Sequence, residues 1–354
     1  MRTLFLSLCM ACAFGSFAQE TTKLTAAKHN KFGLIYSLPR TQIEINALVT
    51  RTTVKAGPFY KYAERFLGTP ATITQNAETY TLDKIQVFTQ GVPDKEQQYL
   101  VQFKSGSTPF ICLNKENVIL SVNTDPVSEE KPEPLTAQPK TYSLEGNSYY
   151  SVFSEDLLLA GSTAKMAEEA AKQLYHIRES RINLITGDVD QMPADGESYK
   201  LIIKQLDQQE QALVALFMGT TETEQYVKKF RITPSGDLTD EIAFRFSTKR
   251  GIVSKDDLGG NPVYLNLKIT ERGELPVDPK GKPMPLPKKG LVYCIPGYAD
   301  ISLKLNGKEL FNENFQIAQF GVQYALDPSM FDAKKGAAQV TFYPQTGAIR
   351  EIKQ

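Results

Sequence analysis

Hydrophobic spacing changes twice along this chain, and those changes restrict its fold more than any single motif does. From Phe32 to Val122 the period is mostly two; in TQIEINALVT, Ile43, Ile45, Ala47 and Val49 alternate with Gln42, Glu44, Asn46 and Leu48. Successive strand side chains point to opposite faces, so this alternation predicts a strand with one buried face. Further strands are expected at YTLDKIQVF, EQQYLVQF, PFICL and NVILSVN, pairing antiparallel through short turns such as GVPD. In the middle of the chain the spacing becomes helical. Met166, Ala170, Leu174, Ile177 and Leu184 form one stripe between Thr163 and Ile185, and Tyr199, Ile202, Leu206, Leu213 and Leu216 form another between Gly196 and Met218. Two helices of ~23 residues, each ~35 Å long, are expected. Ser162 and Asp195 are placed as their N-caps, with Gly219 just beyond the second. The short joint TGDVDQMPADG requires them to return as an antiparallel αα-hairpin. Period two then resumes in EQYVKKFRI, EIAFRFS and PVYLNLKI, and Asn306-Gly307 in DISLKLNGKELF is a strong hairpin signal. A last hairpin is expected to join QVTFYP to AIREI.

The expected class is therefore α+β, with predominantly antiparallel β regions flanking a long antiparallel helical hairpin. Two other stretches break the strand pattern. GPFYKYAERFLG, from Gly57 to Gly68, carries Pro58 in a first-turn position and Phe59, Tyr62, Ala63 and Phe66 at helical spacing, so a short helix lying on the sheet is expected. TDPVSEEKPEPLTAQPK has four prolines and no apolar period, which makes residues 124–140 an extended linker or loop. PVDPKGKPMPLPKK is likewise an extended loop. The expected organisation is a leader at 1–18, a β-rich domain with a short helix at 19–123, the linker at 124–140, a mainly helical region at 141–219 and a second β-rich domain at 220–354.

The leader, MRTLFLSLCMACAFGSFA, combines Arg2, an apolar run from Leu4 to Phe17, and small residues at Ser16 and Ala18. It reads as a secretory signal cleaved before Gln19, because the run is too short to anchor in a bilayer. Lipidation at Cys9 or Cys12 is the disfavoured alternative, since Cys9 follows bulky Leu8 and Cys12 sits early with Cys9 three positions before it. Export places the remaining ~336 residues outside the cytoplasm, where disulfides are allowed. Of the four cysteines, Cys112 and Cys294 lie beyond the leader in short apolar runs; two buried, inert thiols are the favoured reading, and a single bridge tying the early part of the chain to the late part is the alternative. With 40 basic and 40 acidic residues, the chain presents no field to attract nucleic acid. No second apolar run is long enough to span a membrane. The absence of tryptophan weakens sugar binding as a reading without removing it.

GLIYSLPRTQIEI, KAGPFYKYAERFLG and GSTAKMAEEAAKQLYHIRESRINLITGDVDQMPADG resemble one family in particular: exported proteins from Bacteroidales-type bacteria grouped as a domain of unknown function. The resemblance spans the chain beyond the leader. It implies a periplasmic or surface location and carries no activity, cofactor or functional residue.

Residues suited to chemistry are sparse. Ser162-Thr163-Ala164-Lys165 spells the S-x-x-K of serine acyl-transfer enzymes, but Ser121-Val122-Asn123 and Lys104-Ser105-Gly106 precede it, on the wrong side for that family, and an N-cap explains the serine. His29 and His176 are the only histidines, too few and too scattered for a triad or a zinc hydrolase. Asp188, Asp190 and Asp195 lack the closing glutamate of a calcium loop and read as capping and solvated acids, as do Asp256 and Asp257. No catalytic, metal or cofactor residue is assigned, and no cofactor is expected. Phe59, Tyr60 and Tyr62 are the candidate ligand or partner contacts, with Phe59, Tyr62 and Phe66 facing inward and Tyr60 outward. The expected function is an exported, non-enzymatic accessory or binding protein of the bacterial envelope, its partner another envelope protein or a glycan. The alternative is a glycan hydrolase using a carboxylate pair.

Overall fold

Ile43, Ile45, Ala47 and Val49 are all fully buried, and they form the centre of a 22-residue strand from which the molecule is built. The computed structural model describes residues 20–23, 33–102, 110–128, 132–144, 152–193, 195–285, 289–332 and 337–353. The leader with Cys9 and Cys12, His29 and the Lys104-Ser105-Gly106 triplet lie outside the described residues.

In chain order the strands before the helical stretch are β1 (Glu20–Lys23), β2 (Leu34–Lys55), β3 (Ala77–Gln102), β4 (Ile111–Leu113), β5 (Ile119–Val122) and β6 (Thr141–Tyr142). Helix α1 (Ala63–Leu67) lies between β2 and β3, while α2 (Glu155–Leu159), α3 (Thr163–Thr186) and α4 (Gly196–Met218) follow β6. After them come β7 (Thr220–Ile232), β8 (Leu238–Ser247), β9 (Gly251–Val253), β10 (Asn261–Glu271), β11 (Leu291–Leu305), β12 (Lys308–Leu326), β13 (Gln339–Phe342) and β14 (Ile349–Lys353). The strands form three antiparallel sheets, ordered β1-β3-β2-β7-β6, β12-β11-β10-β8-β9 and β14-β13-β5-β4.

This topology corrects the expected class. The protein is mostly β, and no long helical hairpin flanked by β regions organises it. β2 pairs with β7 from Ile43 opposite Ile232 to Lys55 opposite Thr220, and β5 pairs with β13, so strands from before and after the helices share two sheets. Apolar spacing reports local conformation and is silent on which strands pair. The stripe of α3 is buried at Ala170, Leu174, Ile177 and Leu184, while that of α4 is only partly so: Leu213 and Leu216 are fully buried, whereas Ile202 is 40% exposed.

The expected GVPD turn is corrected too. Gly91 to Asp94 lie within β3, which runs unbroken past them with Pro93 opposite Pro39. Proline cannot donate to a ladder, and the pairing is shifted here, between Ser37 and Pro39. The Asn306-Gly307 signal does mark a turn: both residues have positive φ, 51° and 78°, and they join β11 to β12.

Three clusters bury the apolar surface. β2 and β3 pack Ile45, Ala47 and Val87 against Phe244, Leu265, Ile301 and Leu303 of the second sheet. The other end of β2 and β3 places Tyr36, Leu38, Tyr99 and Val101 against Ile119, Val340 and Phe342 of the third sheet and Leu291 of β11. A third cluster joins α3 and α4 to Phe59, Ala63 and Leu157. The short helix after β2 therefore lies on the helices and not on the sheet, with the Phe59 N–H donating to the Leu216 carbonyl at 2.8 Å. Each fully buried aliphatic or aromatic side chain contributes roughly 1.5–3 kcal/mol. The proline-rich stretch lies against the first sheet, where Gln86 Nε2 donates to the Glu133 carbonyl at 2.9 Å and the Gln138 N–H donates to Gln225 Oε1 at 3.0 Å.

Candidate functional site

The three sheets are tied together at Thr41, a polar residue that is fully buried in β2. Its hydroxyl donates to the Gln345 carbonyl and accepts from the Ala318 N–H, each at 2.9 Å. The Gln319 side-chain amide then bonds both the N–H and the carbonyl of Thr41 at 2.8 Å, acting as a short surrogate strand. Buried backbone groups need such partners because an unpaired one costs roughly 1–3 kcal/mol.

The turn from Tyr343 to Ala348 is pinned onto this junction. Its N–H and carbonyl groups bond internally between Tyr343 and Ala348 at 2.8 Å and between Gly347 and Tyr343 at 2.7 Å. The Cys294 N–H donates to the Gly347 carbonyl at 3.0 Å, attaching the turn to β11. Gly91 of β3 approaches it so closely that a Cβ there would lie 1.9 Å from the Pro344 oxygen. Glycine at 91 is thus a requirement of the junction.

Beside the turn is a cleft of about 370 Å³. β12 supplies Asn314, Phe315 and Gln316, β3 supplies Thr89, the turn supplies Tyr343, Gln345 and Thr346, and β14 supplies Arg350. The Arg350 guanidinium lies over the Tyr343 ring, 5.5 Å from its centroid. Asn314 Nδ2 donates to Asp300 Oδ1 at 2.8 Å and to Thr270 Oγ1 at 3.2 Å, while Gln316 Nε2 donates to the Tyr298 hydroxyl at 2.8 Å. Those bonds fix both amides, and among the described residues no histidine, cysteine or carboxylate lines the cleft.

A second cleft, of about 240 Å³, lies on the other side of the Thr41 junction, lined among others by Arg40, Asp94, Glu96, Gln319, Gln323 and Cys294. Burial pushes the Cys294 thiol up to about 12, which keeps it protonated and poorly nucleophilic. The Tyr99 hydroxyl bonds Gln97 Oε1 at 2.9 Å and Gln323 Oε1 at 2.7 Å, and burial raises it to about 12, with the Asp94 charge adding to the effect. Cys112 and Cys294 are both free thiols, the favoured of the two readings of the sequence, with Cys294 buried and Cys112 only half-buried.

The residues singled out from sequence lie elsewhere. Phe59 is buried, with its ring centroid 5.7 Å from that of Phe217; Tyr62 and Phe66 are partly buried in the same cluster. Tyr60 is half-buried, with Lys61 Nζ 5.9 Å from its ring centroid. None of Phe59, Tyr60 and Tyr62 lines either cleft. Ser162 Oγ accepts from the backbone N–H of Lys165 at 3.2 Å, an N-cap. The Lys165 ammonium is held above its ordinary value by hydrogen bonds to Glu168 and Glu169, the opposite of what a general base needs. His176 is exposed, and Asp195 caps α4 by accepting from the Ser198 N–H at 2.7 Å. Among the described residues no cluster of three His, Cys, Asp or Glu could hold a metal, and no helix is long and apolar enough to cross a membrane.

Residues 32–350 match the model of a protein family described as a domain of unknown function, DUF4831. The chain belongs to that family. The DUF4831 match includes both clefts and all three sheets except β1 and the last residues of β14. No curated protein and no solved structure matches the chain. Sequence reasoning missed Asn314, Gln316, Tyr343 and Arg350 as site residues, because they form no local motif and meet only through the pairing of distant strands.

Proposed function

We propose that this protein is an exported, non-enzymatic binding protein of the bacterial envelope, and that its ligand occupies the cleft beside the Tyr343–Ala348 turn. The observation that carries this reading is the lining itself: a cation held over an aromatic ring, fixed side-chain amides and hydroxyls, with no histidine, cysteine or carboxylate among the described residues. Such groups recognise polar ligands and leave their bonds intact. The apolar leader with its small residues at Ser16 and Ala18 supports export. Two measurements test the reading. N-terminal sequencing of protein recovered from cell envelopes should begin at Gln19, whereas a chain retaining Met1 in the cytoplasm would contradict export. Glycan and peptide arrays probed with the chain from Gln19 should show saturable retention of a probe whose mass is unchanged afterwards.

Glycan hydrolysis is the second reading, favoured by the presence of Asp94 and Glu96 in the smaller cleft beside Arg40. The Asp94 carboxylate accepts the Glu96 N–H at 2.9 Å, so its position is fixed. Glycosidase chemistry needs two carboxyl groups on either side of the scissile bond. A turnover that Asp94→Asn or Glu96→Gln abolishes would replace the binding reading with this one.

A further inference from the structure

Resting on the binding reading, we propose that the cleft beside the Tyr343–Ala348 turn takes a carboxylated saccharide, with Arg350 reading the carboxylate. Arg350 is exposed and carries its guanidinium over Tyr343 without an ion pair among the described residues. The neighbouring acid, Glu351, pairs instead with Lys353 at 3.0 Å. An arginine stacked on a ring loses less freedom when it binds, and its planar fork matches a carboxylate with two parallel hydrogen bonds. Among the described residues no acid lines the cleft itself, and Asp300, behind Asn314, is engaged by the Asn314 amide at 2.8 Å.

The rest of the lining asks for hydroxyl donors. Because Asn314 Nδ2 and Gln316 Nε2 are engaged by Asp300, Thr270 and the Tyr298 hydroxyl, the carbonyl oxygens are the uncommitted ends of both amides. Residues two apart on a strand share a face and lie roughly 6.5–7 Å apart, a spacing that suits hydroxyls on one sugar ring and its neighbour. Thr89 adds a hydroxyl and Phe315 an apolar surface. A ligand that offers several hydroxyl donors together with one anionic group satisfies the whole set. The volume, about 370 Å³, falls within the roughly 300–1,000 Å³ range of small-molecule sites.

The test is calorimetric titration of the chain from Gln19 with trigalacturonic acid and with its methyl ester, which differs chiefly in charge. The acid should bind one to one, and the ester at least about tenfold more weakly, as expected when a bidentate charged pair is lost. Arg350→Gln should reduce acid binding to the level of the ester, and Arg350→Lys should fall between, with the melting temperature of both variants unchanged. Equal affinity for acid and ester would overturn the ligand class while leaving a binding protein. An acid preference that survives Arg350→Gln would remove Arg350 from the role. Competition by triglutamate as effective as by the trisaccharide would overturn the saccharide assignment. Cleavage of the trisaccharide during titration would overturn the binding-only reading and leave the ligand class standing.

Discussion

The Tyr36 hydroxyl accepts the Val292 N–H at 2.8 Å and donates to the Val292 carbonyl at 3.0 Å, so one side chain of β2 satisfies both backbone groups of a residue 256 positions away. β10 pairs with β11 only from Tyr298 to Leu305, and at Val292 the phenol stands where the next strand would be. Both residues are buried, which makes the two bonds hard to replace with water. Tyr36→Phe keeps the ring and strands both backbone groups. A loss of about 2 kcal/mol is expected, read as a lower urea midpoint at unchanged slope.

Alkaline pH should destabilise the protein. Burial raises Cys294 from 9.0 and Tyr99 from 10.0, each to about 12, and raises Tyr36 as well. Above about pH 9 the unfolded chain begins to release these protons while the folded chain retains them, so the unfolded state binds fewer protons and stability falls as pH rises. The contribution is complete below pH 9 and is lost between about 9 and 12. Melting temperature should decline over that window, and Cys294→Ala together with Tyr99→Phe should flatten the decline.

Gly91→Ala should be costly even though the new side chain is a single methyl. Its Cβ would fall 1.9 Å from the Pro344 oxygen, so the Tyr343–Ala348 turn must move. A loss of roughly 1–3 kcal/mol is expected from overpacking. Because the same turn carries Tyr343 and Gln345, the variant should also weaken ligand binding, a double effect that chemical denaturation and titration read separately.

Burial along α4 is uneven, and mutational cost should follow it. Leu213 is fully buried and Leu201 is 60% exposed on the same helix. Leu213→Ala should cost about 3 kcal/mol, within the range for buried leucines. Leu201→Ala should stay within about 0.5 kcal/mol. Equal losses at the two positions in urea denaturation would mean that the far end of α4 is covered.

Much of the local structure was legible in the sequence, and its assembly was not. Alternation at Ile43 to Val49 and the Asn306-Gly307 pair identified strand and turn because both depend on neighbours within a few residues. Ser162 and Asp195 were readable as caps for the same reason. GVPD was misread because its glycine and proline, residues that usually mark a turn, here serve a close approach to the Tyr343–Ala348 turn at Gly91 and a shifted register opposite Pro93. The inward aromatic spacing of Phe59, Tyr62 and Phe66 was right about burial, whereas the expected partner, a sheet, was wrong: these residues pack on the helices, with Phe59 bonded to α4. The fold class went wrong at the longest range: pairing of residues 43–55 with 220–232 leaves no mark in local spacing. Arg350 and Asn314 were invisible for that reason too, since a lone arginine and a lone asparagine acquire meaning only once β12 and the Tyr343–Ala348 turn are brought together at Thr41 and both residues line one cleft.

Strands from both halves of the chain build one body, with the cleft at their junction. The direct measurement is calorimetric unfolding of the chain from Gln19 beside a fragment comprising residues 220–354. In the fragment β7 has lost β2 and β13 has lost β5, and the apolar face of the second sheet is bared. The full chain should unfold cooperatively and the fragment should show no cooperative transition. A fragment that unfolds cooperatively, at the temperature of the full chain, would contradict the account.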